Sequence, residues 1–260
     1  MRMSKGLYNS SESGFSLVEM AIVLVILGVA LGGLLGAVGQ SAENSRRIEA
    51  KNKLQEIEEA LYGFAQVQGR LPCPADDDTL GIEDVANTVT GLCNIIHGML
   101  PSATLGISGS VDGNGLLLDP WGNPYRYSVA GATPGGYRYT GNGSGSGGIP
   151  DIFDNAATAI VNNASYLRVC DISTCAGTIM SDVVPAVVIS MGNNWPLIAT
   201  GSANEQANAS GSTTTNGTYP ITNTVDFVVA DYSEINFDDM LVWISPHILL
   251  SKLVTAGRLP

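Results

Sequence analysis

Charge is scarce in this 260-residue chain, with only 14% of its residues Asp, Glu, Lys or Arg. The scarcity is lopsided: 12 basic residues stand against 24 acidic ones, for a formal net charge of −12. No cluster of lysine and arginine stands ready to track phosphates, so general nucleic-acid binding through an electrostatic footprint is not expected. Histidine is nearly absent, His97 and His247 being the two. None of the cysteines lies in a C-x-x-C, so a zinc site is poorly supplied with ligands. Catalytic signatures are missing as well. The sequence has no G-x-S-x-G elbow, no H-E-x-x-H, no phosphate-cradling G-x-x-x-x-G-K-[ST] and no dinucleotide fingerprint. The glycine-rich stretch 141–148 lacks the lysine and the strand–helix frame of a phosphate cradle, and neither histidine has an acid partner nearby in sequence. The chain is not expected to be an enzyme.

Cysteine is sparse but even in number: Cys73, Cys93, Cys170 and Cys175. Four cysteines allow three pairings; proximity in sequence favours Cys73–Cys93 and Cys170–Cys175. Such bridges imply an oxidising compartment. The 31 glycines and the many Ser, Thr and Asn residues suit an extracytoplasmic protein with long loops.

What the chain does have is one long apolar run. From Phe15 to Gly39 the only charge is Glu19. As a helix rising about 1.5 Å per residue, that run reaches about 37 Å, enough to cross a hydrocarbon core about 30 Å thick. Arg2 and Lys5 precede it, which puts the start of the chain on the cytoplasmic side and the bulk of the protein outside. The run is too long for an ordinary secretory signal, and no clear A-x-A site follows it. A lone carboxylate in such a run costs about 3 kcal/mol by insertion scales, so Glu19 calls for a reason. Gly28, Gly32 and Gly36 fall at intervals that let helices approach closely in lipid.

Gly14-Phe15-Ser16-Leu17-Val18-Glu19 and the apolar run after it resemble the class III signal of type IV pilins and type II secretion pseudopilins. The resemblance covers roughly the first 40 residues. It implies that prepilin peptidase cuts after Gly14 and methylates the new terminus at Phe15. It also supplies a reason for Glu19. In a filament the apolar helices pack away from water, where an isolated amine and an isolated carboxylate are both costly. Glu19 would neutralise the Phe15 amine of a neighbouring subunit and so set the register between subunits.

Beyond the run, Ile48, Leu54, Ile57, Leu61, Phe64 and Val67 recur mostly at spacings of three and four, which predicts that the helix continues with an apolar stripe to about Gln68, stopped by Gly69 and Pro72. Strands are expected at Tyr125–Val129, Tyr137–Tyr139, Tyr166–Cys170, Ala186–Ser190, Asp226–Ala230 and Met240–Ile244. The low-complexity segments 141–148 and 203–218 read as exposed loops. Asp119-Pro120-Trp121-Gly122-Asn123-Pro124 reads as consecutive turns, with Trp121 expected to plug the gap between helix and sheet. A short C-terminal helix should start at Pro246 and stop at Gly257. The fold class is therefore α+β, pilin-like: a long N-terminal helix on an antiparallel β-sheet head. The expected divisions are a leader at 1–14, a transmembrane and assembly helix at 15–39, its amphipathic continuation at 40–69, and a β-rich head at 70–260.

No cofactor is required by this reading. Calcium alone is left open, because Asp112, Asn114, Asp119, Asp151, Asp154, Asp226, Asp231, Asp238 and Asp239 carry hard oxygens in loop-rich sequence; aspartates in loops are also ordinary turn formers, and no ligand set is chosen. Asp76-Asp77-Asp78 reads as a solvated turn. By the resemblance, the chain is a structural subunit of a type IV pilus or type II secretion pseudopilus, a minor one, since what remains after Gly14 is longer than a typical major subunit. Its partners would be copies of itself and other pilins or pseudopilins, prepilin peptidase and the inner-membrane assembly platform. It would begin as a single-pass inner-membrane precursor with its head in the periplasm. The alternative is a membrane-anchored binding or adhesion module that does not polymerise.

Overall fold

The computed structural model describes residues 14, 16–87, 91–130, 149, 167–195, 201–210, 225–233 and 236–259. The chain divides into two compact units, residues 1–46 and 47–260. One helix, α1 (Leu17–Gln68), runs through the boundary. The strand expected at Tyr137–Tyr139 and the segment 141–148 lie outside the described residues.

In the second unit α1 buries one stripe, and the stripe is narrower than the large side chains alone predict. Ala50, Leu54, Ile57, Leu61 and Ala65 are fully or almost fully buried, at the three- and four-residue spacing that keeps side chains on one helix face. Ile48 and Val67, expected in that stripe, are 62% and 63% exposed. Two alanines, Ala50 and Ala65, complete the buried stripe instead. The helix ends at Gly69, whose φ of +72° suits the left-handed cap that glycine adopts without a Cβ clash.

After α1 come β1 (Val85–Asn87), β2 (Leu92–Cys93), β3 (His97–Met99), the one-turn helix α2 (Ser102–Leu105) and β4 (Arg126–Val129). Then follow β5 (Leu167–Cys170), β6 (Ile179–Val184), β7 (Ala186–Ser190), helix α3 (Ala203–Ser210), β8 (Val225–Val228), β9 (Met240–Trp243) and helix α4 (Pro246–Thr255). The principal sheet has the order β3-β4-β7-β9 and is antiparallel throughout. Strand β7 is inside it, with Val188 opposite Tyr127 on one side and Val242 on the other. All five of its residues are buried, as its near-continuous apolar sequence requires. Its side chains share one core with Leu54, Ile57 and Leu61 of α1 and with Tyr125 and Tyr127. Trp121, expected to be the plug, is only half-buried and lies outside that core; the two tyrosines fill it instead.

A second sheet, β6-β5-β8, departs from the expected antiparallel arrangement at one of its two pairs. Its β5–β8 pair is parallel, with Leu167 opposite Val225 and Cys170 opposite Val228. A parallel pair cannot be closed by a hairpin, and the long connection between these strands is what permits it. Arg168 and Asp226, directly opposite each other, add a two-pronged ion pair at 2.7 and 2.8 Å.

The segment 203–218, expected as loop, contains α3 over Ala203–Ser210. Ser202 and Glu205 start it by exchanging bonds: the Glu205 N–H donates to Ser202 Oγ (3.3 Å) and the Ser202 N–H to Glu205 Oε2 (3.2 Å). That is the capping box, S-x-x-E, and it satisfies two of the donors a helix start leaves open.

The C-terminal helix begins at Pro246, as its sequence indicates, and Gly257 (φ +67°) closes it. The Arg258 N–H bonds back to Leu253 O and the Gly257 N–H to Val254 O, the paired bonds of a glycine-terminated helix end. The Arg258 side chain then reaches α1, where Nε donates to Gln66 O at 3.0 Å and Nη2 to Val67 O. These carbonyls belong to the last turn of α1 and have no partner within the helix. At the same end, Arg70 holds Glu83 through two bonds of 2.7 and 2.8 Å, and Glu83 also accepts the Cys73 N–H.

Candidate assembly site

The first unit starts its helix with a cap. The Ser16 carbonyl accepts the Met20 N–H, the first bond of α1, while Ser16 Oγ accepts the Glu19 N–H at 3.1 Å. Ser16 is therefore the N-cap residue and Glu19 the third residue of the helix, half of a second S-x-x-E pair. A carboxylate in the first turn is also favoured by the helix dipole. Sequence reasoning missed this local role for Glu19, although the signal was present in Ser16-Leu17-Val18-Glu19. Gly14 is exposed, with open space where a Cβ would stand, and Phe15 is outside the described residues.

Along residues 17–29 the large apolar side chains stand in the open. Leu17 is 91% exposed, and Val18, Met20, Ile22, Val23, Leu24, Val25, Ile26, Leu27 and Val29 are each at least 45% exposed. Covering each such side chain is worth about 1.5–3 kcal/mol, so a surface of this kind marks an interaction with lipid or with another chain. Leu17, Val18, Ala21, Ile22, Val25 and Ile26 form one continuous apolar face. Among the described residues no helix is long and apolar enough to cross a membrane; of the run expected to do so, the side chains at 31–38 lie outside the description.

In the second unit, Cys73 is bridged to Cys93 and Cys170 to Cys175, with Cα separations of 5.4 and 5.3 Å. The described aspartates left open for calcium do not gather into one cluster of ligand atoms. Asp226 is spent on Arg168. Asp112 closes a turn by accepting the N–H groups of Asn114 and Leu116. Asp119 accepts the N–H groups of Trp121 and Asn123 and the Ser190 hydroxyl, and its burial raises its pKa. Asp151 and Asp154 are outside the described residues. Among the described residues, the single group of three acids, histidines or cysteines whose ligand atoms come within 4.8 Å of one another is Asp76-Asp77-Asp78, which is largely exposed.

Asp238 and Asp239 belong instead to a buried polar junction around α3. Asp238 Oδ2 accepts the N–H groups of Asn193 and Asn194 at 2.7 and 3.1 Å. Glu205 Oε1 accepts Asn194 Nδ2 at 2.7 Å and the Asp238 N–H at 3.2 Å. Asp239 Oδ2 accepts Asn208 Nδ2 at 2.9 Å. Glu205 and Asn208 are entirely buried, and nothing in the composition of the segment marked them.

Ser128 Oγ lies 2.8 Å from His97 Nδ1, across the β3–β4 ladder. Both residues are buried, and desolvation pushes His97 down to about 3, so the ring is neutral. Their place is structural.

No curated protein and no solved structure matches the chain. Residues 9–35 match the prokaryotic N-terminal methylation motif, the signature of type IV pilins and pseudopilins, and that signature indicates a structural protein rather than an enzyme.

Proposed function

We propose that this chain is a low-abundance filament subunit of a type IV pilus or a type II secretion pseudopilus. It is made as an inner-membrane precursor whose helix at 15–39 anchors it, with residues 40–69 continuing that helix and the head at 70–260 in the periplasm. Prepilin peptidase removes residues 1–14 after Gly14 and methylates Phe15. The assembly platform then brings the mature chain together with copies of itself and other pilins or pseudopilins.

The observation that carries this reading is the motif at residues 9–35, which falls on the open apolar face beginning at Leu17. Burial of that face between helices supplies adhesion without direction. Glu19 supplies direction: it gives up water only where a neighbour's Phe15 amine meets it, so one stagger is favoured over the others. Its place near the cap is compatible with this, because the cap uses the Glu19 N–H and leaves the carboxylate for a partner.

Mass spectrometry of the mature N-terminus tests processing, with a methylated Phe15 expected and an intact residue 1 overturning the reading. Glu19→Ala tests assembly. Incorporation into filaments should fall sharply while processing and head folding persist; a chain that serves only as an anchored binding module would keep its activity.

A further inference from the structure

The junction around α3 gathers three carboxylates, Glu205, Asp238 and Asp239, that are 0%, 3% and 7% exposed. Among the described residues no lysine or arginine forms an ion pair with any of them. Hydrogen bonds satisfy one oxygen of each aspartate. The other, Oδ1, is buried without a partner on both Asp238 and Asp239. Such a group cannot hold three charges: buried like charges this close raise one another's cost, and a buried ionised carboxylate with an unpaired oxygen is costly by itself. Something must neutralise at least one of them. A multivalent cation is not what the geometry prepares, since Asp238 turns to the amides of Asn193 and Asn194 while Asp239 turns to Asn208.

We infer that Asp239 is a proton-binding site, and that its proton is the latch that keeps helix α3 docked on β8. Asn208 makes the connection. Its amide holds the Val228 backbone on β8 with one hand and Asp239, next to β9, with the other. With Asp239 neutral, the arrangement is free of net repulsion from that position. When Asp239 ionises, its charge is repelled by those of Asp238 and Glu205, which opposes the docking of α3.

The groups that face Asp239 set where this happens. Burial is the first cause, with Asp238 and Glu205 adding repulsion and Asn208 opposing them; together they raise Asp239 to about 8. Asp238 rises less, to about 6, again chiefly by burial. Across the groove that Asp239 lines stand Arg47, Lys51 and Glu58 of α1, with Asp231 and Tyr232 after β8. Arg47 is committed to the Tyr232 ring, 3.4 Å from its centre.

The sign follows from linkage. An unfolded or opened Asp239 loses its proton near the ordinary aspartate value of about 4, whereas the docked one keeps it to about 8, so opening releases a proton throughout that window. Between pH 6 and 8, where docked Asp239 keeps its proton while Asp238 loses its own, the opening constant of α3 should rise about tenfold per pH unit, about a hundredfold in all. It levels off above the docked value. The head tightens as its surroundings acidify and loosens as they turn alkaline.

The test uses the full chain in detergent micelles. Amide exchange, corrected for the intrinsic pH dependence of exchange, should show protection of α3 and of the Val228 N–H falling about a hundredfold from pH 6 to pH 8. Infrared difference spectra should show a protonated carboxyl band at pH 7 that Asp239→Asn lacks, and that variant should lose the slope in protection while keeping an acceptor for Asn208. A slope that survives in Asp239→Asn overturns the proposal. So does the absence of any protonated carboxyl band in the wild-type chain at pH 7, which decides the matter even if the variant does not fold. Removal of the slope by added calcium also overturns it, by showing that a cation and not a proton neutralises the site.

Discussion

Asn208 stands in for a missing strand partner of Val228. Its Oδ1 accepts the Val228 N–H at 2.7 Å and its Nδ2 donates to the Val228 carbonyl at 3.1 Å, so one side-chain amide makes both bonds that a neighbouring strand would make. Strand β8 is the edge of its sheet, and an edge leaves such groups open. Asn208→Ala would leave the N–H and C=O of a buried residue without partners, at about 1–3 kcal/mol each. A total loss of about 2–4 kcal/mol is expected in urea denaturation. Asn208→Asp restores the acceptor but not the donor, and adds a fourth acid to the junction, so it should be at least as damaging as alanine.

Gly192 answers to the same junction. Its φ is +65°, and a Cβ there would collide with the Asp238 carboxylate. Gly192→Ala therefore carries two penalties, one for the left-handed backbone and one for displacing a buried acid from the amides of Asn193 and Asn194. A fall in Tm is expected, equivalent to about 2 kcal/mol or more. Asp238→Ala in the same background should recover part of it by vacating the space, a non-additivity that a double-mutant cycle detects.

The sequence made parts of this fold legible and hid others for identifiable reasons. Helix α1 and strand β7 were readable because periodicity and unbroken apolar character report burial directly, and Pro246 and Gly257 bound α4 through backbone chemistry that only those residues supply. The alanines of the α1 stripe were not, since a small residue reads the same whether buried or exposed. Helix α3 was hidden by composition: Ala203-Asn204-Glu205-Gln206-Ala207-Asn208 has the polarity of a loop, and its burial depends on partners far away in sequence. Its one local signal was Ser202-x-x-Glu205, the pattern that also opens α1 at Ser16 and Glu19. The parallel β5–β8 pair could not be read at all, because strand direction across a long connection is decided by the whole head. At the assembly site, the motif was explicit in the residues; the capping duty of Ser16 was explicit too, and was eclipsed by the larger question of why an acid sits there.

The two bridges should differ in worth. Cys73 and Cys93 are 20 residues apart, Cys170 and Cys175 only 5. On the chain-entropy view the longer loop restrains the unfolded chain more, by about 3 kcal/mol for a loop of its order. The longer bridge also holds the β1–β2 pair to the segment that Glu83 and Arg70 fasten to the end of α1. Replacing Cys73 and Cys93 by serine should lower stability more than the same change at Cys170 and Cys175, as read by denaturation of the oxidised and variant chains side by side. Equal losses would mean that strain or solvation, not loop length, governs these bridges.

His97 gives the acid limb of stability a sign opposite to that of the α3 junction. Desolvation holds the folded ring neutral down to about 3, while the unfolded ring takes a proton near 6.5. Above pH 6.5 both states are neutral there and His97 contributes no pH dependence. Between 6.5 and about 3 only the unfolded chain is protonated, so each unit of acidification favours unfolding by about tenfold at this residue. Asp238 and Asp239 pull the other way, because their folded forms bind protons before the unfolded chain does. The measured curve is the difference of these effects, and a comparison isolates one of them. His97→Gln keeps a polar group for Ser128 and removes the titrating ring. Subtracting its unfolding free energies from those of the wild type at pH 6 and pH 4 should leave a change of about a hundredfold in the folding constant, with the wild type losing ground as pH falls. Parallel curves would mean that the ring exchanges its proton with solvent in the folded state, and that the β3–β4 edge opens more readily than its burial implies.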